Sequence, residues 1–138
     1  AGAFVPAIAP GGVGLNAYYP SEEAFLEAVG EALRVEYLAI VAAGFLLQID
    51  DPYLSEVLGD SGLDPAERHT RAEQHVAAIN HALRGIPPER VRFHTCYGIN
   101  EGPRVYEASL GDVVPYMLRV NAAAYSFEAA NCRHEHEY

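Results

Sequence analysis

A chain of 138 residues, half of them hydrophobic, has room for one domain with a real core, and its composition excludes a disordered polymer. A formal net charge of −10, with nine basic residues scattered along the chain, excludes the clustered cations of a nucleic-acid surface. All nine are arginine, which also excludes a Schiff-base lysine, a pyridoxal-phosphate anchor or a Walker-type phosphate lysine within this segment. A chain of this size with a plausible core has no need of a disulfide, so Cys96 and Cys132 are expected as reduced thiols. The longest apolar stretch, residues 37–47, is too short to cross a bilayer and is broken by Gly44, and no basic leader precedes it. A soluble, cytoplasmic protein with neither membrane nor nucleic-acid partners is the expectation.

In chain order, residues 3–8 read as a short buried strand running into the Pro10-Gly11-Gly12 loop. Ser21 is placed to cap a helix with Glu22 and Glu23 in its first turn. Phe25, Val29, Leu33, Tyr37, Ile40 and Val41 then recur at helical spacing up to Gly44. Residues 45–50 form a nearly continuous apolar run of strand length, as a parallel strand covered by helices requires, with Asp50 at its exit. A Gly-, Asp- and Ser-rich loop follows. Asp64, Pro65 and Glu67 supply the cap, first-turn proline and N3 glutamate of a second helix, whose apolar stripe is Ala72, Val76, Ile79 and Leu83. Gly85 and Pro87-Pro88 stop it, and residues 91–96 read as a third strand. A third helix over 110–120 starts at Ser109, with Asp112 at N3 and Pro115 as an internal conflict that bends it; a fourth strand spans 124–128.

Alternating strands and helices with linkers too long for hairpins define an α/β chain of parallel β/α units. Length alone favours an open sheet, since a closed eight-stranded barrel takes roughly 250 residues. The polar residues point the other way. Asp50, the pair His94 and Cys96, and Glu128 fall at the C-terminal ends of different strands, where (β/α)8 barrels put their chemistry.

His94 and Cys96 lie two apart on one strand, so both side chains face one way and can reach one ion. An imidazole and a thiolate favour zinc, and Glu128 from the next strand end is an acceptable third ligand. A single His-x-Cys also occurs for packing alone. Asp50 and Asp51 could bind an ammonium group, act as acid and base, or cap a helix. The tail 133–137 lacks the spacing of a zinc-protease helix and reads as a solvated first turn. His69, His75 and His81, six apart, rotate around their helix and read as surface residues.

Gln48-Ile-Asp-Asp-Pro52, His94-Thr-Cys-Tyr97 and Ser126-Phe-Glu-Ala-Ala-Asn131 with Arg133-His-Glu-His136 resemble the catalytic barrel of the cobalamin-independent methionine synthase family. Its short single-barrel members, a branch that includes epoxyalkane:coenzyme M transferase, are the nearest likeness. The resemblance covers nearly the whole chain and implies a single partial domain, 1–138, from the central portion of a (β/α)8 barrel. It implies zinc held by His94, Cys96 and Glu128, and Asp50 as a substrate-binding residue for the amino group of a thiol. The implied reaction is transfer of a methyl group from a 5-methyltetrahydrofolate-type donor to homocysteine; the coenzyme M branch would instead open an epoxide. The partners implied are a small-molecule thiol and an alkyl donor.

Two departures stand out. The family's fourth ligand, a cysteine in an Asp-Cys-Gly turn, would lie beyond Tyr138, and Cys132 replaces a proline, which reads as a chance substitution rather than a substitute ligand. The opening strands of the barrel are also missing, so a four-stranded piece would expose edges that favour self-association. A non-catalytic half-barrel remnant that dimerises is the competing expectation; the His94, Cys96 and Glu128 set argues against a metal-free decarboxylase-type relative.

Overall fold

A computed structural model describes residues 2–98, 103 and 105–137. Its elements run β1 (Phe4–Ile8), α1 (Glu22–Ala42), β2 (Leu46–Asp50), α2 (Tyr53–Gly59), α3 (Pro65–Ala82), β3 (Val91–Thr95), α4 (Leu110–Met117) and β4 (Ala124–Phe127), with 3-10 turns at Pro10–Gly12 and Pro88–Arg90. The strands form one sheet in the order β1-β2-β3-β4, and every pairing is parallel. This is an α/β fold compatible with part of a β/α barrel. Among the described residues, one edge of β1 and one edge of β4 are unpaired.

The helix starts form as their sequences dictate. The Ser21 hydroxyl accepts the Ala24 amide at 3.1 Å, and Asp64 and Glu67 complete a reciprocal capping box at the head of α3. Gly44 turns the chain from α1 into β2 at φ +91°, a left-handed conformation that a Cβ disfavours. Helix α4 begins at Ser109 as expected but ends at Met117 instead of Val120. Pro115 supplies no amide to the ladder, and the chain closes with tighter bonds, Arg119 N to Tyr116 O at 3.0 Å and Val120 N to Met117 O at 3.2 Å.

One core holds these elements together. Leu47 and Ile49 of β2 and Val91 and Phe93 of β3 pack with Tyr37 of α1, Leu54 of α2, Val76 and Ile79 of α3 and Val113 and Met117 of α4. Every helix therefore lies against the same face of the sheet. The alternating residues of the same strands, Gln48, Asp50, Arg92 and His94, face the opposite way. The whole expected stripe of α3, from Ala72 to Leu83, is buried. No helix is long and apolar enough to cross a membrane among the described residues.

Helix α2 replaces the loop expected after Pro52, and Asp51 is the reason. Its Oδ1 accepts the amides of Tyr53 at 3.0 Å and Leu54 at 3.2 Å, satisfying donors that the first turn of a helix leaves open. The carboxyl is fully buried and its Oδ2 has no partner among the described residues. Burial pushes its pKa up to about 6 against the pull of those two amides, a direction expected of a carboxylate with one oxygen orphaned.

Two stability predictions follow from these contacts. Asp64→Ala should cost roughly 0.5–2 kcal/mol in urea unfolding, whereas Thr70→Ala, on the exposed face of the same helix, should stay within about 0.5 kcal/mol of wild type. For Asp51 the folded state holds the proton to higher pH than the unfolded chain, so its contribution is complete below the ordinary aspartate pKa and is lost as pH rises through about 6. Unfolding of Asp51→Asn and wild type at pH 4 and pH 7.5 checks this: the variant should gain about 2–3 kcal/mol relative to wild type at the higher pH. An unchanged difference would mean that Asp51 titrates as an ordinary aspartate.

Candidate functional site

The register of the sheet decides which polar side chains meet. Ile8 pairs with Asp50, Asp50 with His94, and His94 with Ser126, so these four residues form one row across the open face. Cys96 lies two residues beyond His94, and Glu128 two beyond Ser126, which starts a second row at the C-terminal ends of β3 and β4. The ladder is firm here: the Ala9 amide reaches the Asp50 carbonyl and the Asp51 amide the His94 carbonyl, both at 2.9 Å.

Each member of the row has a neighbour that orients it. Gln48, almost fully buried, donates from Nε2 to Asp50 Oδ1 at 2.8 Å. His94 Nδ1 lies 3.2 Å from the Ser126 hydroxyl; with the proton on Nδ1, Ser126 accepts it and Nε2 keeps its lone pair. The Cys96 carbonyl accepts the Ser55 hydroxyl at 2.6 Å, tying the end of β3 to α2. Asp50, His94 and Cys96 line one cavity of about 670 Å³, walled also by Tyr53, Glu56 and Tyr106. Structure thus separates the two adjacent aspartates: Asp51 serves the helix, and Asp50 is left to the cavity.

Glu128 is not among the residues lining that cavity. Its Oε1 accepts the Asn131 amide nitrogen at 2.9 Å and faces Arg133 Nη2 at 3.4 Å. The tail beyond it forms the single helical turn expected from its sequence, with the Glu135 amide on the Asn131 carbonyl at 2.8 Å, but His134 in it is buried instead of solvated. Asn131 Oδ1 accepts the amides of Arg133 at 2.9 Å and His134 at 3.0 Å, which folds residues 131–136 back as a turn. His134, 4% exposed, stacks on Tyr97 with ring centroids 4.1 Å apart and places Nε2 3.2 Å from Glu107 Oε2. Burial first, then the neighbouring carboxylates, push the Tyr97 phenol up to about 12, so it stays protonated at neutral pH.

His94 on β3 and Cys96 just past its end are donors of the type zinc takes, and Glu128, just past the end of β4, is a third by type but does not line the cavity that the other two share. Among the described residues, however, no three His, Cys, Asp or Glu side chains are gathered closely enough to hold an ion as they stand. Glu128 is the donor turned to other partners, Asn131 and Arg133. Both cysteines are free; Cys132 is exposed and lies outside the cavity lining.

The histidines of α3 divide. His69 is exposed and meets the Tyr116 hydroxyl at 2.6 Å, and His81 meets Glu31 at 2.6 Å. His75 departs from the surface position expected of it: its ring packs beneath the Pro10–Gly12 turn, where a Cβ on Gly11 would come within 2.6 Å of Cε1. Burial holds its imidazole below the ordinary histidine range. Sequence reasoning also missed the contacts of Ser55, Glu107 and Ser126 with Cys96, Arg133 and His94, which span 26 to 41 residues of chain, a separation that leaves no local pattern.

The chain and its fold were compared with family models, curated proteins and solved structures, and none of these matches it.

Proposed function

We propose that this chain is the central part of a zinc-dependent thiol alkyltransferase barrel, with methyl transfer from a 5-methyltetrahydrofolate-type donor to homocysteine as its activity. The observation that carries the reading is the row of Asp50, His94 and Ser126 across β2, β3 and β4, with Cys96 two residues on, all at the C-terminal ends of parallel strands. His94 and Cys96 would hold the metal, joined by Glu128, and Asp50 would take the ammonium group of the thiol substrate. When bound, zinc lowers the pKa of a substrate thiol so that it is held as thiolate at neutral pH. In the overall reaction the thiol exchanges its proton for the methyl group, and the donor nitrogen that loses the methyl ends with a proton.

The cavity also bears on the choice of thiol. Among its described lining residues Asp50, Glu56 and Glu107 are carboxylates and none is arginine, while the chain contains no lysine at all. Such a wall favours an ammonium-bearing thiol and repels a sulfonate, so homocysteine fits it better than coenzyme M. The edges of β1 and β4, unpaired among the described residues, support a second reading, a non-catalytic half-barrel that pairs with a second copy.

Metal analysis of protein purified without chelator tests the first reading directly. About one zinc per chain, lost in His94→Ala, is expected; no zinc in either protein under any buffer condition would count decisively against it. With zinc present, Asp50→Asn should weaken homocysteine binding by about 10- to 100-fold, the worth of one hydrogen bond to a charged group. A stable dimer in solution that binds zinc weakly and transfers no alkyl group would favour the half-barrel reading instead.

A further inference from the structure

Gln48 carries a polar group in a place that packing does not explain. It is 8% exposed on the open face of β2, between its register partners Pro6 on β1 and Arg92 on β3. Its Nε2 donates to Asp50 Oδ1 at 2.8 Å, but its Oε1 is buried with no hydrogen-bond partner among the described residues. Only the amide nitrogen can face a carboxylate oxygen, so the bond to Asp50 settles which way the amide points and leaves its carbonyl without a donor. A buried acceptor of this kind is destabilising, and a methionine of similar shape would fill the same space without it.

What the bond secures is Asp50. A charged partner for that carboxylate is at hand and is not used: Arg92, opposite Gln48 and diagonal to Asp50, holds its guanidinium over the Phe4 ring at 4.8 Å from the centroid. His94, directly opposite Asp50, turns Nδ1 to Ser126. Among the described residues no arginine pairs with Asp50, and its Oδ2 has no hydrogen-bond partner. A neutral donor thus fixes the direction of the carboxylate and leaves its charge uncompensated. Asp50 lines the cavity and Gln48 does not, so Gln48 acts on a ligand only through Asp50.

We infer that Gln48 is a positioning residue for Asp50: it holds the carboxylate by Oδ1 and keeps Oδ2 for the ammonium group of the ligand, so that the cavity selects thiols that carry an amino group over those that do not. The inference rests on the reading of Asp50 as the ammonium site, and on no metal. Its test is calorimetric binding of homocysteine and of 4-mercaptobutanoate, which differs only in lacking the amino group, to wild type, Gln48→Met and Asp50→Asn. Urea unfolding of each protein accompanies it.

Wild type should prefer homocysteine. In Gln48→Met that preference should fall about 10-fold, the worth of one hydrogen bond to a charged group, through weaker homocysteine binding alone, with 4-mercaptobutanoate bound as before. The same variant should unfold at a urea concentration equal to or above that of wild type. Equal weakening of both thiols, or a lower unfolding midpoint, would overturn the inference, because either would make Gln48 a structural residue. An undiminished preference in Gln48→Met would overturn it as well. Failure of the underlying reading looks different: a wild type that binds both thiols equally or neither, or an Asp50→Asn variant that keeps the preference, removes the ammonium role of Asp50 and the positioning role with it.

Discussion

Burial of one face of a parallel sheet is the constraint from which the remaining features follow. Leu47, Ile49, Val91 and Phe93 go into the core beneath α1, α3 and α4, and the period of two along a strand then sends Gln48, Asp50, Arg92 and His94 to the other side. A slip of one residue in β3 would put His94 into the core and Phe93 in its place, so register is fixed by the same apolar contacts that stabilise the fold. The gathering of polar side chains at the strand ends is thus a by-product of packing on the far face. The half-buried polar row needs no separate folding signal.

The second layer of order comes from α2 and the tail. Asp51 gives its carboxylate to the first turn of α2, and Ser55 on that helix reaches back to the Cys96 carbonyl, so the end of β3 is gripped by an element that starts at the end of β2. On the opposite side Asn131 folds the tail so that His134 lies on Tyr97. The cavity wall between them is acidic and aromatic. Its carboxylates would oppose binding of an anion and favour a cationic group.

Acidic groups here do different work according to burial. Asp51 is sealed from water and its carboxyl is shifted upward by that burial. Glu31 and Glu73, on exposed helix faces, are held below the ordinary range chiefly by hydrogen bonds from Arg84 and Arg119. Exposed pairs of this kind mainly link neighbouring elements at the surface; α3 carries Glu73 and α4 runs directly into Arg119.

Much of this was legible in the sequence because it is local. The caps at Ser21 and Asp64, the stripe from Ala72 to Leu83, the strand with His94 and Cys96 and the parallel α/β order all depend on residues within a few positions of one another, and each was found within one or two residues of its expected bounds. Four expectations failed for the opposite reason. Helix α2 stood hidden in a Gly- and Ser-rich stretch because its start depends on a buried Asp51; α4 closed early at Met117, two residues past Pro115; His75 packs beneath the Pro10–Gly12 turn instead of at the surface; and His134 in the tail is buried because it finds its place against Tyr97. The sequence by itself determined which residue types stand at the strand ends and which faces they share. Only the tertiary structure decided that Asp50 and Asp51 part company and that Glu128 is engaged by Asn131 and Arg133. Burial and register act between residues far apart in the chain, and no short-range pattern encodes them.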